Sequence, residues 1–310
     1  MPVQAETLER IVASLAPRMA EIIEAGRAEH SFIPVSAQAL VVRCLQTSLN
    51  RTTVWITDGA SSLETAHRDM LTLFPDAAGS LLFYPARESG IEAATAPDPE
   101  DAGHRLKVLL RLARMDHAGP PVVIVTCVQA LMQKTPPPDA LLRRMIRVCV
   151  GGSQDLDEVG RQLVDLGYRS SAEVSEMGEF AVKGGLLDVW PVAETWPLRI
   201  EFTGSEIESI RCFDPADQRS VRKIEQAAIP PVDDLSATGA ALAPFLEYLP
   251  GTVACVWVDL DSIRQHAALH EELAAESGKA GDSLSFRHLG AALGRRPGTS
   301  QLFISGRFEF

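Results

Sequence analysis

The stretch Met177-Gly-Glu-Phe-Ala-Val-Lys-Gly-Gly-Leu-Leu-Asp-Val-Trp-Pro191 holds two short runs of strand-forming residues on either side of a glycine pair. Phe180–Val182 and Leu186–Trp190 are rich in aliphatic and aromatic side chains. Gly184-Gly185 between them supplies the backbone freedom that a tight turn requires. The stretch therefore predicts a β-hairpin.

The predicted hairpin lies within a longer β-rich segment. Two more strands are predicted at Leu198–Phe202 and Ile207–Phe213, with Gly204-Ser205 as a turn between them. One amphipathic helix is predicted before the hairpin, at Leu156–Tyr168. We expect an antiparallel sheet with one helix, an α+β domain over residues 141–228.

On both sides of this domain, short apolar strands alternate with helical patterns, which is typical of βαβ units around a parallel sheet. The predicted strands here are Thr53–Thr57, Leu81–Tyr84, Val122–Cys127, Val253–Val258, Leu302–Ile304 and Phe308–Phe310. The predicted helices are one starting near Ser36, one from a capping box Ser61-x-x-Glu64 to Phe74, Arg105–Met115, Val128–Gln133, Leu242–Tyr248 and Leu260–Glu276. The pattern predicts an α/β domain over residues 1–140 that is interrupted by the α+β domain and returns at 229–310.

Composition excludes several classes of protein. The 310 residues carry a net charge of −12 that is spread evenly, with no basic stripe of the kind a nucleic-acid binder shows. No apolar run approaches the roughly 18 residues of a membrane span, and the start of the chain lacks a signal-peptide pattern. We expect a cytoplasmic protein that does not bind a membrane. The five scattered cysteines are expected to be reduced core residues.

The hairpin stretch, followed by Pro197-Leu-Arg-Ile-Glu-Phe202 and Glu206-Ile-Glu-Ser-Ile-Arg-Cys-Phe-Asp-Pro215, resembles the UvrB-homology module. That module is shared by the excision-repair protein UvrB and the N-terminal part of transcription-repair coupling factors (Mfd). The coupling-factor branch is also resembled by Leu82-Phe-Tyr-Pro85, Val123-Ile-Val-Thr126, Ile229-Pro-Pro231 and Phe245-Leu-Glu-Tyr-Leu-Pro250. The resemblance implies that residues 1–140 are a degenerate P-loop-type, nucleotide-binding-like domain, 141–228 an inserted UvrA-binding domain and 229–310 a return to the first domain.

The chain lacks the residues for the chemistry of UvrB itself. A phosphate-binding loop needs Gly-x-x-x-x-Gly-Lys-Ser/Thr after a strand, whereas this chain has Asp58-Gly-Ala-Ser-Ser-Leu-Glu-Thr65 at that place. The region that corresponds to the tyrosine-rich, DNA-inserting hairpin is the acidic stretch Pro85–Pro99, which has no aromatic residue. We therefore expect no ATP hydrolysis, no cofactor and no lesion recognition in this chain. In the full-length family protein, ATP and magnesium belong to DNA-translocating motor domains.

Three further groups of reactive residues are candidates for a catalytic or metal site. His266-x-x-x-His270 has zinc-ligand spacing on a predicted helix but lacks a general-base glutamate, and a solvated helix face is favoured. Glu179 and Asp188 flank the glycine turn as a carboxylate pair, and solvated strand-edge charges are favoured over a catalytic role. Cys127 and His117 are weighed as a nucleophile and base, against a buried strand cysteine.

The predicted chemistry is that of a protein-binding surface. The resemblance places Arg169 and Lys183 at the basic positions of the UvrA-contacting surface, with Lys183 where the family pattern commonly has Arg. A guanidinium binds a carboxylate through two hydrogen bonds, whereas an ammonium acts as a point charge. Leu187 and Trp190 follow the turn and are candidates for the same interface or for the core beneath it.

The preferred hypothesis is a non-catalytic module that recruits UvrA in transcription-coupled nucleotide excision repair. By resemblance, the missing parts of a full-length protein would contact RNA polymerase and double-stranded DNA, so the chain is an excised fragment or a stand-alone paralogue. The alternative is a UvrB-like ATPase or DNA-binding repair subunit with unrecognised motifs. A third possibility is an intramolecular regulator, since in the family the C-terminal part of the same protein can cover the UvrA-binding face.

Overall fold

The computed structural model describes residues 7–17, 27–30, 33–87, 98–115, 120–234 and 241–305. They form two compact units, the first from residues 7–17, 27–30, 33–87, 114–115, 120–134 and 244–305 and the second from residues 98–113, 135–234 and 241–243. The helices are α1 (residues 7–17), α2 (Val35–Leu49), α3 (Ala60–Leu73), α4 (Pro99–Arg114), α5 (Val128–Met132), α6 (Pro138–Arg143), α7 (Leu156–Asp165), α8 (Leu260–Glu276) and α9 (Phe286–Arg295).

The strands begin with β1 (Arg27–His30), β2 (Thr52–Thr57), β3 (Leu81–Tyr84), β4 (Val123–Cys127), β5 (Ile146–Cys149), β6 (Arg169–Ser170) and β7 (Glu179–Lys183). They continue with β8 (Leu186–Val189), β9 (Leu198–Thr203), β10 (Glu206–Phe213), β11 (Ser220–Ile224), β12 (Gln226–Ile229), β13 (Val253–Val258) and β14 (Ser300–Ile304).

The first unit is built on a six-stranded sheet in the order β1-β14-β13-β2-β4-β3, and all its strand pairs are parallel. Its central strands β2 and β4 are buried along their whole length. Continuous burial is what helices on both faces of a parallel sheet produce, and both strands accordingly consist of apolar residues and threonines without a charged side chain. The predicted parallel-sheet domain is confirmed.

Several elements of this unit differ from the prediction in their bounds or type. The capping box at Ser61 is wrong, because α3 begins one residue earlier with Gly59 at its N-cap and without a side-chain cap. The predicted helix Leu242–Tyr248 is only a 3-10 turn, Phe245–Tyr248, between prolines that lack the backbone N–H a helix needs. Helix α9 and strand β1 were not predicted, and the predicted strand Phe308–Phe310 lies outside the described residues.

The second unit is built on a six-stranded sheet in the order β11-β10-β9-β8-β7-β6. Neighbouring strands are antiparallel except β6 and β7, which are parallel. Strands β5 and β12 form a separate antiparallel pair. The predicted antiparallel domain with one amphipathic helix, α7, is confirmed; β11 and β12 were not predicted, because Ser220–Ile224 is almost wholly exposed and has no apolar alternation.

Helix α4 packs with the second unit although it precedes the predicted domain by about 30 residues of chain. Its Arg105 is fully buried and donates two hydrogen bonds to Asp234 Oδ2, at 3.1 and 2.7 Å. Gly103, on the same helix, lies against the backbone carbonyl of Val192. The predicted domain boundaries at 140 and 228 stay a prediction, and the compact unit also contains α4 and α6.

None of the helices in the described ranges is long and apolar enough to cross a membrane.

Two helical glycines give a matched test of this packing. A methyl group at Gly103 would overlap the carbonyl group of Val192, whereas one at Gly160 in α7 meets nothing within 4 Å. We expect Gly103→Ala to lower the free energy of unfolding by about 2–4 kcal/mol through steric overlap. Gly160→Ala should raise it by about 0.5–1 kcal/mol, because alanine has the higher helix propensity. Urea denaturation of both variants measures this, and equal effects would contradict the close approach of α4.

Candidate protein-binding site

Three of the four candidate residues, Arg169, Lys183 and Trp190, lie on one side of the six-stranded sheet of the second unit. Side chains alternate across a strand, so Glu179, Ala181 and Lys183 of β7 share one side. Arg169 pairs with Glu179 in the register, and Trp190 directly follows β8 and donates its backbone N–H to the Glu179 carbonyl. We call this side, opposite the hydrophobic core of the unit, the outer face.

Leu187 lies on the other side of the sheet. It pairs with Val182 in the register, and its side chain is fully buried in the core of the unit. The burial of β8 alternates, with Leu187 and Val189 inside and Leu186 and Asp188 partly exposed. Leu187 therefore stabilises the core and has no exposed surface with which it could contact a partner.

Arg169 is exposed and held in place by two glutamates. Its Nη2 atom lies 3.0 Å from Glu179 Oε1 and 3.1 Å from Glu176 Oε2. Both contacts use the same nitrogen, so Nε and Nη1 have no hydrogen-bond partner among the described residues. The two glutamates therefore orient the guanidinium through one nitrogen and leave its other N–H groups available to a partner.

Glu179 is the anchor of this arrangement, because its side chain is only 9% exposed. Its Oε2 accepts hydrogen bonds from the backbone N–H groups of Ser175 and Glu176, both at 3.0 Å, and from the Ser175 hydroxyl at 3.3 Å. Burial by itself would raise the pKa of the Glu179 carboxyl, but the hydrogen bonds from Ser175, Arg169 and Glu176 outweigh it and hold the pKa below its ordinary value. Glu179 is therefore ionised and fixed at neutral pH.

Glu176 differs from Glu179 in its surroundings. Its side chain is 72% exposed, and the only partner of its carboxylate among the described residues is Arg169. Exposed ion pairs of this kind contribute about 0–1 kcal/mol. Another carboxylate can therefore displace Glu176 from Arg169 at little cost, which it cannot do to Glu179.

Lys183 and Trp190 complete the set. Lys183 is exposed at the end of β7 and makes no hydrogen bond or ion pair with any described residue. Trp190 is half-buried, and its indole N–H donates to the carbonyl of Glu194 at 3.3 Å. That bond satisfies the polar edge of the ring and leaves part of its apolar surface exposed.

Sequence reasoning did not identify Glu176 and Glu179 as the residues that orient Arg169. Glu179 and Asp188 each bind a different arginine, and their side chains are only 9% and 13% exposed, so the prediction of solvated strand-edge charges is wrong. The Asp188 carboxylate accepts two hydrogen bonds from Arg199, at 2.8 and 2.7 Å, and the Arg199 guanidinium lies over the Phe213 ring. The sequence signal for these ion pairs is the opposite charge of residues that are neighbours across two strands. This signal can be used only when the strand register is known.

The other reactive residues do not converge on a site. His266 Nδ1 lies 3.0 Å from the Ser262 carbonyl, and His270 Nε2 lies 3.0 Å from the Ser283 hydroxyl. Cys127 is buried in β4, and His117 lies outside the described residues. In the ranges that the structure covers, no three His, Cys, Asp or Glu residues are arranged to hold a metal ion. Four of the five cysteines are buried as free thiols, and Cys149 is exposed.

The anchoring of Glu179 predicts a pH-dependent loss of stability. Because its pKa is lower in the folded state, its contribution is present above the ordinary glutamate pKa of about 4.3 and is lost as the pH falls below that value. We expect Glu179→Gln to lower the free energy of unfolding by about 1–3 kcal/mol at pH 7, with the difference from wild type shrinking between pH 5 and pH 3. Urea denaturation across this range measures it, with the exposed Glu173→Gln as a control that should change little. A constant difference at every pH would show that the Glu179 carboxylate is not specially stabilised.

Comparison with known proteins finds a family match within the second unit. Residues 146–235 match the family described as the UvrB interaction domain. The chain is 28% identical over 238 residues, 77% of its length, to the transcription-repair-coupling factor of Bacillus subtilis. It is 34% identical to that of Mycobacterium bovis over 62% of its length, and 35% identical to that of Myxococcus xanthus over 54%.

The matched regions make up 20%, 15% and 14% of those three relatives, so the chain spans a fifth or less of their length. The match of residues 146–235 contains Arg169, Lys183 and Trp190. Residues 146–235 therefore match the UvrB interaction domain, within a chain that is similar to transcription-repair-coupling factors over more than half of its length.

Proposed function

We propose that this chain is a non-catalytic module that binds UvrA through the outer face of its UvrB interaction domain. The observation that carries the proposal is that Arg169, Lys183 and Trp190 are accessible on one side of one sheet, within the residues that match this family. Recruitment of UvrA in transcription-coupled nucleotide excision repair is the role that follows from it.

The chemistry of the outer face favours an acidic partner surface. Arg169 presents Nε and Nη1 to the outside, and a guanidinium keeps its charge when it is desolvated. Lys183 adds a positive charge that no described residue neutralises. Trp190 adds partly exposed apolar surface, and tryptophan and arginine are the residue types that most often dominate interface energies.

Lys183 stands where the family pattern commonly has arginine, and this difference keeps the positive charge but changes the hydrogen bonds that the side chain can make. A lysine ammonium attracts a carboxylate but cannot bind it through two parallel hydrogen bonds as an arginine does. We therefore propose that Arg169 is the dominant anchor and that Lys183 contributes mainly to long-range attraction and the rate of association.

The absence of catalysis in this chain is part of the proposal. The segment after β2 reads Asp58-Gly-Ala-Ser-Ser-Leu-Glu-Thr65, which contains neither the lysine nor the glycine spacing that a phosphate-binding loop needs. An ATP- and magnesium-dependent DNA translocase, with contacts to RNA polymerase and double-stranded DNA, would belong to further parts of a longer protein. The matched regions make up 20% and 15% of the first two of these relatives.

Binding of the chain to purified UvrA, measured by calorimetry at two salt concentrations, tests the proposal. We expect Arg169→Ala to weaken binding at least about tenfold, because it removes an oriented cation at the interface. Lys183→Ala should weaken it about two- to fivefold and reduce its dependence on salt, as expected for an exposed charge.

Lys223→Ala is the matched control for both variants. Lys223 is exposed at the opposite edge of the same sheet and pairs in the register with Arg211, so it shares the charge and the side but not the position. Equal losses in all three variants would indicate non-specific electrostatic attraction. No binding by the wild-type chain would refute the proposed function.

Glu176 is predicted to compete with the partner for Arg169. Its exposed carboxylate contacts Nη2 in the free protein, and its negative charge opposes the approach of an acidic group of the partner to the same guanidinium. We expect Glu176→Gln to tighten UvrA binding by about two- to fivefold, which corresponds to the small free energy of an exposed ion pair. The same titration measures it, with Glu173→Gln, on the same loop, as the control. Weaker binding by Glu176→Gln would show that Glu176 contacts the partner directly.

A further inference from the structure

Strand β11 forms one edge of the six-stranded sheet in the second unit. Within the described ranges it pairs only with β10, and no described residue outside β10 makes a hydrogen bond with its backbone. The N–H and C=O groups on the outer edge of Ser220–Ile224 are therefore available to another strand. The opposite edge of the sheet is β6, which has only two residues and is too short to offer a row of such groups.

The residues of β11 are compatible with the addition of another strand. The strand reads Ser-Val-Arg-Lys-Ile and contains neither proline nor glycine, and its Val221 is 48% exposed. The register with β10 is interrupted between Cys212 and Phe213, whereas from Arg222 to Ile224 the pairing is regular. Strand β11 therefore presents a regular backbone edge over these last three residues.

The charged side chains of this edge are positive. Arg219, Arg222 and Lys223 lie within a stretch of sequence that contains no carboxylate, in a chain whose net charge is −12. Arg222 and Lys223 have no ion-pair partner in the described part of the chain, and Arg219 is paired only with the exposed Asp217, at 3.7 Å. Antiparallel pairing with β11 of a second copy would bring like charges together, which disfavours a dimer through this edge. The same charges attract an acidic strand.

A cavity of about 310 Å³ lies beside this edge and is lined by Glu194, Thr195, Trp196, Cys212 and Arg222. Arg222 belongs to β11 and pairs in the register with Cys212 of β10, so the cavity adjoins the edge strand. Trp196 packs against the hydrophobic core and supplies an apolar wall. When a strand adds to a sheet edge, backbone hydrogen bonds provide affinity and pockets of this kind select side chains. The cavity therefore favours a segment with an apolar side chain.

We propose that β11 is a docking edge for an acidic, extended segment of another protein, which adds to the sheet as a further strand. Backbone hydrogen bonds join the segment to Ser220–Ile224, its carboxylates lie near the three basic side chains, and one apolar side chain enters the cavity. Strand β11 and the strand pair β6–β7 lie at opposite edges of the sheet, so the proposal does not depend on the binding of UvrA.

Titration of the full chain with the peptide Glu-Val-Glu-Phe-Glu-Val-Glu, acetylated and amidated at its ends, tests the proposal. This probe alternates carboxylates with apolar side chains, which places them on opposite sides of an added strand. The readout is the set of backbone amide resonances in an ¹⁵N spectrum, together with amide hydrogen exchange. We expect saturable shifts and slower exchange at Ser220–Ile224. The same peptide with lysine in place of every glutamate should not bind.

A proline-containing peptide separates strand pairing from charge attraction. The peptide Glu-Pro-Glu-Phe-Glu-Pro-Glu has the same charge and the same central phenylalanine, but it lacks two backbone N–H groups and cannot form a regular strand. We expect it to bind at least about tenfold more weakly than the valine peptide.

Three variants of the chain test the side chains at this edge. Arg222→Gln should weaken binding of the valine peptide about two- to fivefold, as expected for one exposed charge. Arg161→Gln, which removes an exposed charge from α7 of the same unit, should leave binding unchanged. Thr195→Phe should weaken binding at least about threefold, because it fills the cavity from an exposed position without a change of charge.

Several results would overturn the proposal. Equal binding of the valine and proline peptides would show charge attraction without strand pairing, and unchanged affinity of both Arg222→Gln and Thr195→Phe would place the peptide elsewhere. Shifts confined to the surroundings of Arg169 and Lys183 would assign the acidic peptide to the outer face instead. None of these results alters the expected titration with UvrA, so failure of this proposal is distinguishable from failure of the proposed function.

Discussion

The two-residue period of the antiparallel sheet in the second unit is the constraint on which the proposed function depends. Adjacent residues of one strand face opposite sides, so Leu187 enters the core while Asp188 faces outward. The same period brings Arg169, Lys183 and Trp190 to one accessible side, although they come from three different places in the chain. A shift of one residue in the register would bury these polar groups and expose the core, so packing and surface chemistry are specified together.

Ion pairs organise the outer face without neutralising it. The nearly buried Glu179 is fixed by two backbone N–H groups and in turn orients Arg169, while the exposed Glu176 shares the same guanidinium nitrogen. This difference in burial separates a structural carboxylate from a displaceable one, because only the exposed group exchanges readily with solvent or a partner. The outer face is therefore ordered before binding, which lowers the entropy cost of forming an interface.

The first unit has a parallel sheet, but the segment after β2 lacks the residues of a phosphate-binding loop. The connections that follow the neighbouring strands β2 and β13 diverge, and a cavity opens there. Three aspartates line this cavity, and its described lining residues include no lysine, arginine or histidine, whereas a phosphate site needs cations and a glycine-rich loop. Position in a fold and chemistry of a site are thus separate properties.

The sequence by itself determined the local elements with strong patterns. The hairpin around Gly184-Gly185, the apolar strands β3 and β13 and the helix α8 all lie where their residues predict them, because turn chemistry and hydrophobic periodicity act over a few neighbouring residues. Only the tertiary structure decided which distant segments meet: Arg105 of α4 with Asp234, Arg169 with Glu176 and Glu179, and Trp55 and Gln38 with three aspartates. The reason is physical, since burial and pairing of charges depend on how strands are ordered and registered, and no local pattern records that order.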